Sequence, residues 1–208
     1  MSDAKLTHIE AKTAAEVTAR YELEEPAEAA LTDKQTPAEF LTALTDRQLF
    51  VDACRFLAQA LPKREAVYWA WLCSVDAPKG KKPALADTAL QTTEMWVLKP
   101  SQDLCRAAKE ASDAVGLKVP AGLAALAVFF SRESMSPPDL APVPPPPHLT
   151  GVTASNAVIL SVLLADPKLA ADNYRKVLDL GLEVAEGKKR WKEEPPKAPP
   201  AVAPRAKR

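Results

Sequence analysis

The sequence is poor in the residues from which catalytic, metal and nucleotide sites are most often built. Its 208 residues include only 6 glycines, 3 cysteines and 2 histidines. The glycines are isolated and none precedes a Lys-Ser or Lys-Thr pair, which excludes a phosphate-binding loop of the Gly-rich type. His8 and His148 lie too far apart to form a metal site of the His-Glu-x-x-His kind. We therefore expect no cofactor and no metal ion.

The three cysteines give little support to thiol chemistry. Cys54, Cys73 and Cys105 are widely separated, and each falls inside a helical pattern among apolar neighbours. A cysteine nucleophile needs a base within hydrogen-bond reach, and both histidines lie in segments that we expect to be loose. Small core residues are the favoured interpretation of the cysteines, with a reactive thiol as the alternative.

The chain also lacks a long apolar run and an excess of charge of either sign. The longest apolar runs, residues 121–130 and 157–165, are shorter than the roughly 18 residues that a membrane-spanning helix needs. Residues 1–12 carry several charges and no apolar core of a signal peptide. The 27 basic and 27 acidic side chains balance, which argues against a protein that coats nucleic acid or membrane. We expect a soluble, cytoplasmic protein.

Apolar residues at helical spacing are plentiful, and no segment alternates apolar and polar residues between hairpin turns. This pattern predicts an all-α fold, a compact irregular bundle or array of about eight helices. Thr36-Pro37-Ala38-Glu39 is a capping box with proline at the first helical position. Thr45-Asp46-Arg47-Gln48 predicts a second capping box at the start of the next helix.

Residues 66–75 are almost wholly apolar. Because a helix that is apolar on all sides is buried on all sides, we expect this segment to be the central helix. Trp69 and Trp71 lie ~200° apart around an ideal helix, so they cannot both face one neighbour. A later helix covers the outward one, or it anchors a partner protein, and we favour the covering helix. The aromatic residues considered for such a surface are Tyr68, Trp69, Trp71 and Trp96.

The prolines divide the chain. Of 20 prolines, seven lie between Pro137 and Pro147 and five in the last segment. We predict a weakly ordered acidic segment over residues 1–35 and a single helical domain over residues 36–190. Within that domain, residues 134–148 form a stiff, extended crossover. The crossover returns the last two helices to the first six, and its alternative role is a ligand for an aromatic-lined groove.

Residues 191–208 are predicted to be a disordered, basic tail rich in Pro and Ala. From Lys188 onward the chain carries eight basic and two acidic side chains, a difference of plus 6. We favour a solubilising tail or an arm for an acidic partner over an arm for nucleic acid, because Trp191 is its only aromatic residue.

The sequence also suggests roles for a charged trio and for one glycine within the predicted domain. Lys63-Arg64-Glu65 precedes the apolar helix and either fixes its start, which we favour, or binds an anion at the positive end of its dipole. Gly181 interrupts the last helix and weakens it by roughly 1 kcal/mol relative to alanine.

The segment Ala58–Val75 reads Ala-Gln-Ala-Leu-Pro-Lys-Arg-Glu-Ala-Val-Tyr-Trp-Ala-Trp-Leu-Cys-Ser-Val and follows Asp-Ala-Cys-Arg-Phe-Leu. It resembles an uncharacterised bacterial family of all-helical proteins with an Ala-Leu-Pro-x-Arg-Glu-Ala-Val-Trp-Trp-like segment. Tyr68 stands where that family often has tryptophan, which preserves the packing role. The resemblance covers residues 36–190 and implies an accessory or adaptor role linked to type VI secretion gene clusters. It carries over no catalytic residue.

These observations lead us to expect a non-enzymatic adaptor whose partners are other proteins, among them secretion components. No catalytic, cofactor-binding or metal-binding residue is assigned. One alternative is a helical small-molecule-binding or enzymatic domain, which a buried polar pocket with a shifted carboxylate would favour. A second alternative is a nucleic-acid-associated protein that uses the basic tail.

Overall fold

The chain folds into helices packed around one apolar core. A computed structural model describes residues 6–77, 85–136 and 139–192, and these contain ten α-helices and no strand. The first five are α1 (Ala14–Thr18), α2 (Glu25–Glu28), α3 (Pro37–Asp46), α4 (Phe50–Ala60) and α5 (Lys63–Asp76). The others are α6 (Ala86–Leu98), α7 (Gln102–Val115), α8 (Pro120–Phe130), α9 (Leu149–Leu163) and α10 (Ala170–Ala185). The predicted all-α fold is confirmed.

Helix α5 is the central element. Trp69 is completely buried, and its indole Nε1 donates to the carbonyl of Val177 in α10 at 2.8 Å. Helices α6, α8, α9 and α10 all pack against α5. The helix is nevertheless not buried on all sides, because Trp71 and Leu72 remain partly exposed.

Several predicted helix ends are confirmed in atomic detail. The amide of Thr36 donates to Glu39 Oε2 at 2.7 Å, and the amide of Glu39 donates back to Thr36 Oγ1 at 3.3 Å. The bonds that the amide and the hydroxyl of Thr36 donate to the exposed Glu39 carboxylate lower the pKa of that carboxyl. The hydroxyl of Ser101 caps α7, and Gly116 ends that helix with φ of +81°.

The second predicted capping box is wrong. Thr45 still lies inside α3, where its hydroxyl donates to the carbonyl of Leu41 at 3.0 Å. Gln48 takes a left-handed φ of +60°, its amide donates to Thr45, and the amide of Leu49 donates to Leu44. This pair of bonds is the Schellman arrangement that ends a helix. The polar residues here therefore close α3, and α4 begins without a side-chain cap.

The amino-terminal segment is packed, where the sequence predicted weak order. Ala14, Val17 and Ala27 are completely buried, and α1 packs on α3 and α4. The guanidinium of Arg20 donates to the carbonyl of Gln59 at 2.9 Å. A few small apolar residues at helical spacing are enough to seat this segment, although its acidic composition is typical of a solvated one.

The proline-rich connection leads from α8 to α9, which pack directly against each other. Its base is tied by a bond from the amide of Met135 to the carbonyl of Val143 at 2.7 Å and by one from the amide of Val143 to Ser134 Oγ at 3.0 Å. Pro145 is buried, whereas its neighbours Pro144 and Pro146 are exposed. Pro137, Pro138 and the predicted tail beyond residue 192 lie outside the described residues.

None of the described helices is by itself long and apolar enough to cross a membrane. Leu149–Leu163 and Pro167–Ala185 reach the required length and composition only as a pair, and they are bent by 116°.

Gly181 marks the closest approach of α10 to the core. A Cβ at this position would lie 2.6 Å from Leu57 Cδ2 and 2.7 Å from Trp69 Cε2. The residue therefore makes room for Trp69, and the sequence, which showed only a weak point in a helix, did not reveal this role.

We predict that Gly181→Ala destabilises the protein by about 1–3 kcal/mol, because the added methyl overpacks the contact with Trp69. Helix propensity alone predicts the opposite sign, a gain of about 1 kcal/mol. Urea unfolding followed by circular dichroism measures the difference. Asp179→Ala, on the exposed side of the same helix, is the control and should leave stability within about 0.5 kcal/mol. A stabilised Gly181→Ala protein would contradict the assignment.

Candidate partner-binding cleft

The chain after α10 turns back over α5 and α6 and forms one wall of a cleft. Gly187 makes the turn with φ of +74°, a conformation that favours glycine. The amide of Lys189 then donates to the carbonyl of Glu183 at 3.0 Å. As a result, Trp191, which the sequence placed at the start of a disordered tail, packs against the helical core.

The cleft has an aromatic floor that one arginine holds in place. The guanidinium carbon of Arg64 lies 4.0 Å from the centre of the Trp191 ring, within the range of a cation–π interaction. The edge of Trp191 meets Tyr68 at 5.6 Å, and Tyr68 stacks on Trp71 at 6.0 Å between ring centres. Arg64 Nε and Nη2 also donate to the carbonyls of Val97 and Leu98. These are helix-end acceptors that α6 cannot satisfy internally.

Trp71 combines the two roles that the sequence left open. Its indole Nε1 donates to the carbonyl of Leu90 at 3.1 Å, so α6 covers one side of the ring as favoured. The ring is still partly exposed, and its other side lines the cleft.

The walls of the cleft are strongly basic. The volume is about 620 Å³. Among the described lining residues Glu94 contributes the one carboxylate, and the basic ones are Lys188, Lys189, Arg190 and Lys192. Lys188 Nζ is paired with Glu186 at 2.6 Å. An electropositive wall above an aromatic floor suits a group that is both acidic and apolar.

Two residues of the Lys63-Arg64-Glu65 trio, Arg64 and Glu65, have a structural role. Arg64 holds the end of α6 and Trp191, as described. Glu65 Oε1 lies 3.2 Å from His8 Nδ1, and the backbone amide of His8 donates to Ala185 at 2.9 Å. His8, which the sequence placed in a loose segment, therefore ties the amino-terminal segment to α5 and α10.

The three cysteines are buried core residues, which is the interpretation that the sequence favoured. Cys54, Cys73 and Cys105 are all free and buried. Burial raises the pKa of each thiol, so the nucleophilic thiolate is scarce at neutral pH.

Among the described residues no group of three or more His, Cys, Asp or Glu side chains could hold a metal ion.

A second, more polar cleft of about 770 Å³ lies between the amino-terminal segment and helices α4 and α9. Arg55 lines it and pairs with Glu24 at 2.6 Å and with Asp52 at 3.5 Å. Burial raises the pKa of the Asp52 carboxyl despite the neighbouring guanidinium. The hydroxyl of Tyr21, another lining residue, is sealed from solvent and has no hydrogen-bond partner among the described residues. The sequence did not signal this site, because it predicted no packing of residues 1–35.

Comparison with known proteins yields one match. Residues 40–185 match DUF6931, a family of unknown function. The chain belongs to that family. No curated protein and no solved structure matches it. The resemblance to an uncharacterised helical family is thus confirmed at the level of a DUF6931 domain. In this DUF6931 member, Tyr68 and Trp71 fall inside the matched range, whereas Trp191 and the basic wall follow it.

We predict that Asp52→Asn stabilises the protein at pH 7 and has little effect at pH 3. A carboxyl whose pKa is raised by folding costs stability as the pH rises through and above its ordinary value of 3.8, and it costs none where both states are protonated. Urea midpoints at the two pH values measure the effect. Asp113→Asn removes an exposed partner of Lys109 and should give no gain at pH 7. Equal responses at both pH values would contradict the prediction.

Proposed function

We propose that this DUF6931 protein is a non-enzymatic adaptor that binds an acidic segment of another protein in the cleft formed by Tyr68, Trp71, Trp191 and the basic residues 188–192. The observation that carries the proposal is the aromatic stack beneath a basic wall, in which Trp71 and Trp191 are partly exposed. The role is that of a docking module.

The composition of the cleft is that of an interface centre. Tryptophan, tyrosine and arginine are the residues that most often dominate the binding energy of protein complexes. Here Arg64 holds Trp191 and Trp191 meets Tyr68, so the stack is ordered before a partner arrives. A preordered site loses less side-chain entropy on binding than a mobile one does.

The charge of the cleft selects the partner. Glu94 is the single acid among the described lining residues, against four basic side chains, one of which, Lys188, pairs with Glu186. Acidic partners are attracted over a distance of about 8–10 Å at ordinary salt, and the association rate falls as salt rises. A peptide with carboxylates flanking one aromatic or aliphatic side chain meets both parts of the site.

The chemistry of the lining residues supports binding over catalysis. The described residues that line the cleft include neither a histidine nor a cysteine. Burial raises the pKa of the Tyr68 hydroxyl, which keeps it protonated at neutral pH. Among the described residues that line the cleft, Glu94 therefore has no histidine or cysteine partner for proton transfer.

A separate part of the proposal concerns the cellular process in which the adaptor acts. The segment Ala58–Val75 resembles a bacterial family linked to type VI secretion gene clusters. On that resemblance we propose a cytoplasmic accessory of a secretion apparatus. The adaptor role does not depend on this assignment.

A second candidate function is small-molecule binding in the polar cleft at Arg55. The raised pKa of Asp52 and the unpartnered Tyr21 hydroxyl support it. A ligand that co-purifies in native mass spectrometry, is lost in Tyr21→Phe and is kept in Trp191→Ala would favour this function over the adaptor.

We predict that Trp191→Ala weakens partner binding at least tenfold while leaving the helical fold intact, because the ring lies outside the fully buried core. The experiment is affinity capture from cells that naturally make the protein, followed by titration of each captured partner. Lys189→Glu with Lys192→Glu should abolish capture of the same partner. Lys168→Glu with Lys176→Glu makes an equal charge change on exposed residues elsewhere and should preserve it.

Three outcomes contradict parts of the proposal. A partner that all variants retain places the interface elsewhere. Duplex DNA binding that is lost in the Lys189 and Lys192 variant makes nucleic acid the ligand of the basic wall. Partners that depend on Trp191 but include no secretion component remove the secretion assignment and keep the adaptor.

A further inference from the structure

The proline-rich connection between α8 and α9 exposes a run of apolar residues to solvent. Residues 139–147 of this connection are called the proline loop below. Leu140 is 60% exposed and Val143 is 50% exposed, and Pro145 is the one buried residue of the loop. A connection that only spans a surface gains nothing from apolar side chains in water. Contiguous exposed apolar residues are typical of interaction sites.

The proline loop is extended and tied at both ends. Residues 141–146 form neither a helix nor a turn, and four of them are prolines, which favour the polyproline II conformation. The amide of Val143 donates to Ser134 Oγ at 3.0 Å, and Gln59 Nε2 donates to the carbonyl of His148 at 2.9 Å. The loop therefore has little conformational entropy left to lose when it binds a partner.

The same chain carries the kind of site that binds such segments. Proline-rich segments in the polyproline II conformation dock onto grooves lined by aromatic rings. Three aromatic rings, those of Tyr68, Trp71 and Trp191, form the floor of the cleft described above. Both halves of one recognition mode are thus present in a single chain.

The charges of the two surfaces are complementary. Residues 133–148 contain two carboxylates, Glu133 and Asp139, and no lysine or arginine. Both carboxylates are on exposed residues, and Asp139 directly precedes the exposed Leu140. The wall of the cleft, residues 188–192, is basic. A segment that is acidic and apolar therefore matches a site that is basic and aromatic.

The loop and the cleft of one chain do not meet. No residue of the proline loop is among the described residues that line the cleft. The loop leaves α8 and enters α9, whereas the cleft lies over α5 and α6 beside the chain that follows α10. The bonds to Ser134 and His148 hold the ends of the loop in place. Contact between the two surfaces therefore requires a second copy.

We propose that the proline loop of one copy docks in the aromatic cleft of a second copy, with Leu140 and the prolines on the aromatic floor and Asp139 toward the basic wall. This self-association uses the cleft assigned under the proposed function and therefore rests on it. A reciprocal exchange of loops gives a closed dimer, and a one-way contact gives an open chain of copies. In either arrangement, one cleft holds a second copy or another protein, but not both.

Sedimentation velocity of the full chain, over about a hundredfold range of protein concentration, tests the contact. The average mass of the wild type should rise with concentration and fall as salt is added. Leu140→Ser with Val143→Ser should lower the association constant at least tenfold. Leu117→Ser with Leu169→Ser is the matched control, because these leucines are 53% and 49% exposed and belong to neither surface. The control should associate within twofold of the wild type.

Mixing two variants separates a direct contact from damage to the fold. The variant with Leu140→Ser and Val143→Ser keeps an intact cleft, and Trp191→Ala keeps an intact loop. Each variant alone should stay monomeric, whereas an equal mixture should form one-to-one complexes. Both should retain the circular dichroism spectrum of the wild type, because all three side chains lie outside the fully buried core.

Four results would overturn this self-association. The first is a wild type that stays monomeric throughout the concentration range, and the second is association that both variants retain. The third is a mixture of the two variants that stays monomeric. The fourth is association that is lost in Trp191→Ala but kept in the loop variant, which would place another segment of the second copy in the cleft.

The proposed function fails or stands separately. A monomeric wild type that still captures another protein through Trp191 removes only the second copy as an occupant of the cleft. Self-association that behaves as expected, together with no Trp191-dependent capture of another protein, removes the adaptor role and keeps the contact between copies.

Discussion

The packing of Trp69 against α10 positions the rest of the carboxy-terminal half. The indole is completely buried and donates to the carbonyl of Val177, and Gly181 admits the ring edge one turn further along. Together these contacts fix both the rotation and the height of α10 on α5. The turn at Gly187 and the position of Trp191 follow, because they continue directly from that helix. The aromatic cleft is thus a consequence of core packing, and the small size of residue 181 is part of its construction.

Features governed by local chemistry were predictable from the sequence. The capping box at Thr36, the cap at Ser101 and the glycine end at Gly116 depend on residues within a few positions of each other. The burial of Trp69 and the three cysteines followed from the apolar pattern around them. The polar run at Thr45 was misjudged because the same residue types serve a helix start and a helix end. The left-handed conformation of Gln48, which decides between them, has no clear sequence signal.

Contacts between segments that are distant in the chain could not be predicted from local sequence patterns. The contact of Arg64 with Trp191 and the pairing of His8 with Glu65 connect positions that local patterns do not relate. Charge composition misled for residues 6–35 and for Trp191, because a few well-placed apolar residues outweigh many solvated charges. Tyr68 and Trp71 belonged to the aromatic set considered for a surface, but Trp191 and the basic wall of the cleft were assigned to a tail.

The contacts of residues 7 and 8 with the end of α10 have a practical consequence for choosing a minimal fragment. Thr7 donates to the carbonyl of Glu186, and His8 donates to that of Ala185, so the first described residues clasp the helix that carries the cleft wall. Trimming the protein to the family-matched residues 40–185 would remove this clasp together with the buried side chains of Ala14 and Val17. The stretch that defines the family is therefore smaller than the unit that holds the cleft together.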